Sequence, residues 1–467
     1  MKTLYRPELL YSDGAFVKNS GVLVGEDGKV LDFPKSIDFA STRVLDLTGK
    51  ALLPGFVNAH SHSFQRLIRG KSESRTPGSN DFWSWRATMY HAAAKLDPND
   101  VYDLARMAFL EMVLAGTTTV GEFHYLHNAP DGTPYDDPNL LGKQVIAAGC
   151  SVGLRIVLLR TAYLRSGFEL PRDPGQMRFF ESGKSFLANM EALMRESGSD
   201  SGVQFGVAPH SVRAAPLGEL REIADWNREA GLPFHMHISE QVAENTASVR
   251  EYGLTPTTLL HRERIIDANF TAVHATHISP PERNMIAEAD ATICACPTTE
   301  RNLGDGIFSA DQVLAAGIRI ALGSDSQAQI DPLEDARQLE YHLRLEKQKR
   351  AILDQIADKP AALSLLESAT VHGARALGVS AGELTVGKLA DFFTVDLNDV
   401  SIAGHSPEDL LPILVFSLSR SAIRDVVVRG KMILRDQKHE RQDEIVSRYE
   451  EVHRKVWSCS RSKGAQP

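Results

Sequence analysis

The hydrophobic pattern along the chain changes character twice. Up to about residue 53, short segments such as Gly21-Val22-Leu23-Val24 and Arg43-Val44-Leu45-Asp46-Leu47 are separated by turn signals like Glu26-Asp27-Gly28, which predicts a small β module. From about 54 to 375, apolar runs of strand length alternate with longer stretches of helical periodicity. The segments 117–122, 152–159, 203–208, 234–238, 271–274, 291–295 and 318–323 read as strands, and 100–115 and 218–230 are examples of the helices between them. Beyond about 380 the short strands return, in 387–396 and 423–431, and 441–457 is charged and periodic, as in a surface helix.

With the apolar run from Leu52 that ends in His60 and His62, these make about eight strands separated by helices, the arithmetic of an α/β fold of the TIM-like (β/α)8 barrel type. A doubly wound sheet is the competing layout. The two β-rich ends share a texture although they lie far apart in sequence. They predict one flanking β-sandwich domain assembled from residues 1–53 and 376–440, beside a catalytic barrel of 54–375, with 441–467 as a helical tail.

Composition narrows the class. A chain of 467 residues exceeds one small core, and 43% hydrophobic with 24% charged residues is ordinary for a soluble protein. A net charge of −9 and a pI near 6.0 argue against nucleic acid or an anionic membrane as a partner. No run approaches about 18 apolar residues, so no membrane span is expected. The N-terminus lacks an apolar core followed by a small-residue cleavage site, so no signal peptide is expected. Four cysteines (Cys150, Cys294, Cys296, Cys459) are too few for a disulfide framework and point to a reducing cytoplasm.

The chemistry lies at strand ends. Residues two apart on a strand point the same way, so His60 and His62 project together, and two imidazoles are half of a metal site. Taken alone, such a pair reads more readily as solvated. But His237 closes Phe234-His235-Met236-His237-Ile238, His274 closes Thr271-Ala272-Val273-His274, and Asp325 follows Ile320-Ala321-Leu322-Gly323-Ser324. The C-terminal ends of barrel strands converge on one mouth, where His60, His62, His237 and Asp325 would hold one divalent metal and leave a position for water. Singly, each has a bland reading, as a hydrogen-bonded core histidine or a helix-capping aspartate. Together they predict a hydrolytic centre.

That set, preceded by Pro54-Gly55, resembles the amidohydrolase superfamily over essentially the whole chain. Glu240, three residues after His237, is similar to the pattern of its mononuclear deaminases, and no lysine stands at a middle strand end to bridge a second metal. The chain is more closely similar to the formimidoylglutamate deiminases. The segments that carry this are His60-Ser61-His62-Ser63-Phe64-Gln65-Arg66, Phe82-Trp83-Ser84-Trp85-Arg86, Glu122-Phe123-His124-Tyr125, His210-Ser211-Val212-Arg213, His237-Ile238-Ser239-Glu240-Gln241 and Asn302-Leu303-Gly304-Asp305-Gly306. The resemblance implies one divalent ion, zinc, a homodimer, and a dicarboxylate substrate, N-formimino-L-glutamate, hydrolysed to N-formyl-L-glutamate and ammonia in histidine degradation. Arg86 and Arg213 would hold the carboxylates, since guanidinium binds carboxylate as a planar fork, and Gln65, Tyr125 and His210 would add hydrogen bonds. Asp325 would take the proton of the attacking water, His274 would orient it, and Glu240 would protonate the imine nitrogen.

Of the remaining candidates, His235 is expected behind the ligands and His277 in a structural role. Of Cys294 and Cys296, one is expected to face the barrel core, and Gly304-Asp305-Gly306 is expected at the pocket rather than around a phosphate. A purine, pterin or triazine hydrolase of the same superfamily would want aromatic stacking more than two arginines. A catalytically dead relative would be expected to have lost ligands. A nucleotide-binding doubly wound enzyme would need a Gly-rich strand-to-helix turn that is missing.

Overall fold

The computed structural model describes residues 1–34, 42–73, 81–197, 202–356 and 358–458, with residues 81–83 described by backbone alone. The expectations for the side chains of Phe82 and Trp83, and for residues 459–467 of the tail with Cys459, therefore lie outside the described residues. Among the described residues, sixteen strands fall into two sheets. In chain order they are β1 (Lys2–Ser12), β2 (Ala15–Lys18), β3 (Val22–Val24), β4 (Val30–Asp32), β5 (Thr42–Pro54), β6 (Phe56–Ser61), β7 (Thr117–His124), β8 (Arg155–Ala162), β9 (Gln204–Pro209), β10 (Phe234–Ile238), β11 (Phe270–His274), β12 (Thr292–Ala295), β13 (Arg319–Leu322), β14 (Phe392–Asp396), β15 (Ile423–Val428) and β16 (Lys431–Leu434).

Strands β6 to β13 pair in sequence order, all in parallel, with helices between them. This is the predicted barrel, and its last and first strands meet through Ser61 and Asp325. The Asp325 amide donates to the His60 carbonyl and the His62 amide to the Asp325 carbonyl, both at 3.0 Å. Asn58 reinforces the seam. Its Nδ2 donates to Ser324 Oγ at 2.6 Å, and its Oδ1 accepts the Ser324 amide at 3.1 Å.

The remaining strands form one mixed sheet in the order β16-β15-β14-β5-β1-β3-β4, with β2 on β1, so both ends of the chain enter a single flanking domain. β5 joins the halves, parallel to β1 and antiparallel to β14. This sheet gathers its own apolar cluster, including Tyr5, Val22, Leu52, Phe392 and Val427. A buried, two-pronged ion pair from Arg155 on β8 to Asp391, next to β14, ties it to the barrel.

Three local expectations are corrected. The run from Leu52 to His62 is not one strand: it divides at Gly55, with Leu52–Pro54 in the flanking sheet and Phe56–Ser61 in the barrel. A Cβ at Gly55 would lie 2.3 Å from the Thr118 side chain, so this crossing needs glycine. The strand placed at 152–159 begins at Arg155, because the preceding helix, Leu140–Val152, ends on Gly153 in the left-handed region (φ 85°). The third lies in the C-terminal β region, which contains the helix Leu410–Ser417, packed on the helices Pro332–Lys347 and Ala361–Ala369. Its nearly all-apolar sequence carries no helical period to read. The tail helix, Gln442–Trp457, buries Ile445, Val452 and Val456.

Candidate active site

Four predicted ligands meet at the barrel mouth. One donor atom from each of His60, His62, His237 and Asp325 lies within 4.8 Å of the others, and all four residues are buried. The backbone fixes two of the rings. His62 Nδ1–H donates to the Phe123 carbonyl at 2.8 Å, and His237 Nδ1–H donates to the His210 carbonyl at 2.9 Å. Burial holds His60 and His62 well below the usual imidazole value and His237 down to about 3, so all three are neutral. With Nδ1 protonated, His62 Nε2 carries a lone pair, yet it lies 3.2 Å from the carboxylate oxygen Asp325 Oδ1. Acceptors so placed repel unless a cation lies among them. Three neutral imidazoles and a carboxylate are the donor set of zinc and similar divalent ions, so the residues fit a metal.

The backbone is strained where these side chains leave the strands. Ser239 (φ 50°), His274 (φ 68°), Ala275 (φ 52°) and Asp325 (φ 45°) all adopt the left-handed region, at roughly 1 kcal/mol or more each. Gly323 lets β13 come this close, since a Cβ there would meet His60 Cβ at 2.7 Å. His274 Nε2 faces Asp325 Oδ2 at 3.8 Å and Glu240 Oε1 at 3.7 Å, which brings the three predicted catalytic groups together. Burial pushes the Glu240 carboxyl above the usual carboxylate range, as a proton donor near neutral pH requires.

A cavity opens from this cluster. Gln65, Arg86, Tyr125, His210 and Arg213, all predicted for substrate binding, line it together with His62, His237, Glu240, His274 and Asp325. Gln65 Nε2 donates to the Tyr125 hydroxyl at 2.7 Å, which leaves Gln65 Oε1 buried without a partner. Arg86 comes from the helix Asp81–Ala93, whose Trp85, Met89 and Tyr90 reach the same cavity. Arg213 stands on the loop after β9, whose carbonyls at Val212 and Arg213 are gripped by Arg165 at 2.9 Å each. Among the described residues no carboxylate lies within ion-pair distance of Arg213.

The matches with known proteins agree with this geometry. The model of the Amidohydrolase family covers residues 51–433. The chain is 33% identical over 440 residues to the formimidoylglutamate deiminase of Pseudomonas aeruginosa, covering 94% of this chain and 96% of that one. It belongs to the amidohydrolase family. It is also 26% identical to a 5-methylthioadenosine/S-adenosylhomocysteine deaminase of Pyrococcus abyssi, over 92% of each chain. A crystal structure of an amidohydrolase from Brucella melitensis superposes with a TM-score of 0.89 at 30% identity, over 97% of this chain and 99% of the other. The chain is thus a hydrolase of the amidohydrolase superfamily with that superfamily's barrel.

In this amidohydrolase, the secondary candidates fall where their surroundings put them. His235 is buried and its Nε2 bonds the Ala376 carbonyl at 2.7 Å. His277 Nε2 bonds the Asp305 carbonyl at 2.7 Å and so holds the loop that brings Leu303 to the cavity. Cys294 and Cys296 are both in a small buried cluster with Ala59 and Ala376.

Three residues escaped the sequence reading. Glu300 Oε1 lies 3.3 Å from His274 Nδ1 and accepts the Cys296 amide at 2.8 Å. Glu122 accepts Ser61 Oγ–H at 2.6 Å and the Ser63 amide at 2.7 Å, bracketing His62. Tyr163 stands between the two arginines. The available signal for Glu122 was a carboxylate within the strand Thr117–His124, and for Glu300 one on the short helix Pro297–Leu303 that follows β12. Tyr163, following Thr161-Ala162, offered none.

Proposed function

We propose that this chain hydrolyses N-formimino-L-glutamate to N-formyl-L-glutamate and ammonia, using zinc as its metal. One observation carries the reading. Arg86 and Arg213 both reach Tyr163 on one wall of the cavity that His62, His237 and Asp325 of the ligand cluster also line. Two guanidinium groups suit a dicarboxylate, and they line the same cavity as His62, His237, Glu240 and Asp325, where the formimino end would react. The 33% identity to a formimidoylglutamate deiminase supports the same substrate.

A divalent ion held by His60, His62, His237 and Asp325 would lower the pKa of water to about 7 and so supply the nucleophile. The chain's own groups do the rest. Asp325 accepts the proton of the attacking water, and His274, 3.8 Å from Asp325 Oδ2, orients it and offsets developing charge. Glu240 delivers a proton to the imine nitrogen. Water adds to the carbon, the C–N bond breaks, ammonia leaves, and the new C=O remains as the formyl group. Gln65 and Tyr125 fix the substrate between the two ends of the cavity, and His210 closes its side.

A second reading has one observation in its favour. Trp85, Tyr90, Tyr125, Tyr163 and Phe179 also line the cavity and offer stacking surfaces for a purine. An ammonia-release assay over formimino-glutamate, formimino-aspartate, guanine and an adenosine analogue separates the two. Turnover of formimino-glutamate is expected, and activity confined to the purines would overturn the dicarboxylate reading. Metal analysis of the purified chain is expected to find one zinc per chain.

A further inference from the structure

The ring of His274 is held differently from its neighbours at the barrel mouth. His62 and His237 donate Nδ1–H to main-chain carbonyls, whereas His274 Nδ1 lies 3.3 Å from a side-chain oxygen, Glu300 Oε1. Both residues are buried. The same Oε1 accepts the Cys296 amide at 2.8 Å. An oxygen that accepts an amide proton meets Nδ1 as an acceptor too, so Nδ1 carries the proton of this contact. Nε2 is then the nitrogen turned towards the reacting groups, 3.7 Å from Glu240 Oε1 and 3.8 Å from Asp325 Oδ2.

Glu300 stands on a segment that is itself tied down. It belongs to the helix Pro297–Leu303, which starts at the end of β12 with a proline in its first turn. The Thr298 amide donates to the buried Asp335 Oδ1 at 3.0 Å. Thr299 Oγ1 donates to the Ser324 carbonyl at 3.2 Å and accepts the Ser326 amide at 3.1 Å, gripping the main chain on both sides of Asp325. The Glu300 carbonyl accepts the Asp305 amide at 3.0 Å, and the Asp305 side chain accepts Gln241 Nε2, next to Glu240. One short helix thus reaches the neighbours of Asp325 and of Glu240 and, through Glu300, the His274 ring itself. If Glu300 served only to cap the Cys296 amide, His274 would be indifferent to its loss.

We propose that Glu300 is a positioning residue of the hydrolysis: it holds the His274 ring by Nδ1–H and so presents Nε2 to the attacking water. This rests on the role given to His274 in the proposed function, and not on the identity of the substrate. Without the acceptor the ring has two ways to fail. It can turn about its Cβ–Cγ bond and offer a carbon where Nε2 stood, or it can carry its proton on the other nitrogen. Either leaves the water without the partner that orients it. Glu300 touches neither the water nor the substrate, so its loss falls on turnover and spares binding.

The test compares the metal-loaded natural chain with Glu300→Leu, which removes the acceptor, and Glu300→Gln, which keeps an oxygen for both bonds. Glu300→Leu is expected to lower kcat roughly a hundredfold, with KM and bound metal unchanged, and Glu300→Gln to stay within roughly tenfold of the natural chain. The loss should vanish in a His274→Leu background, where there is no ring left to hold. An equal further loss there, or a natural kcat in folded Glu300→Leu, would overturn the proposal. Nitrogen-15 spectra of the histidine-labelled, metal-loaded natural chain read the ring directly and decide should Glu300→Leu fail to fold. With the His274 signals assigned by their absence from His274→Leu, Nδ1 is expected to be protonated, and a bare Nδ1 would overturn the proposal. If N-formimino-L-glutamate is not turned over, the substrate reading falls, while the ring spectrum, which needs no substrate, still decides the role of Glu300.

Discussion

The floor and the wall of the cavity are held in place by different means. On the floor, His60, His62, His237, His274 and Asp325 stand at or just beyond the ends of four barrel strands, and main-chain hydrogen bonds set their positions. The bonds that close the barrel between β6 and β13 are made by His60, His62 and Asp325 themselves. On the wall, Gln65, Arg86, Tyr125, Tyr163, His210 and Arg213 sit on segments that follow the strands, and side chains hold most of them: Gln65 on Tyr125, Arg86 and Arg213 on Tyr163. Moving a floor residue means opening the barrel, whereas a wall residue can change without touching a strand. The hydrolytic chemistry is therefore a property of the fold, and the choice of substrate a property of what is hung on it.

The strongest way to break this comparison is at the floor. Asp325→Asn and Glu240→Gln keep shape and most hydrogen bonds but would remove the proposed proton acceptor and the proposed proton donor. Each is expected to lower kcat by roughly 10³-fold or more while the circular dichroism spectrum stays native. Near-normal ammonia release from either variant would show that the roles are assigned wrongly.

At the wall the expected loss is smaller and of another kind. Arg213→Ala removes a guanidinium whose partners would be substrate carboxylates, worth about 2 to 4 kcal/mol, or roughly thirty- to a thousandfold in kcat/KM. Most of it should appear in KM, with metal content unchanged. An equal loss on a purine would mean that the wall does not discriminate as proposed.

The same contrast explains what could be read from sequence. The floor was legible because strand alternation and strand ends are written in local pattern. Phe234-His235-Met236-His237-Ile238 was placed to the residue, and each ligand closes an apolar run. The wall residues were found only through resemblance, because Arg86 on a helix and Arg213 on a loop have no period tying them to a site. Tyr163 was missed because its meaning lies in the two arginines it touches, 77 residues before it and 50 after it in the chain. The division at Gly55 was hidden because one unbroken apolar run serves two sheets. The helix Leu410–Ser417 was hidden because apolar residues on all sides carry no amphipathic period.

The smallest expected effect sharpens the comparison from beneath. Glu122 holds the main chain around His62 by accepting Ser61 Oγ–H and the Ser63 amide, so it supports the floor without reaching the cavity. Burial raises its carboxyl from 4.5 to about 7, against the pull of the Ser61 and Ser63 hydrogen bonds. The folded chain therefore binds this proton more tightly than the unfolded chain does. The stability it contributes is full below about pH 4.5 and is lost as pH rises through about 7. The whole change is at most about 3 kcal/mol for one fully buried group. Glu122→Gln keeps an oxygen for the Ser63 amide and cannot ionise. The Tm of the metal-loaded natural chain, relative to that of the variant, should therefore decline by a few degrees between those two pH values. Parallel curves would mean that Glu122 is charged throughout. The floor would then rest on a buried carboxylate held by hydrogen bonds alone, and its rigidity would owe less to the barrel main chain than the seam at Asp325 suggests.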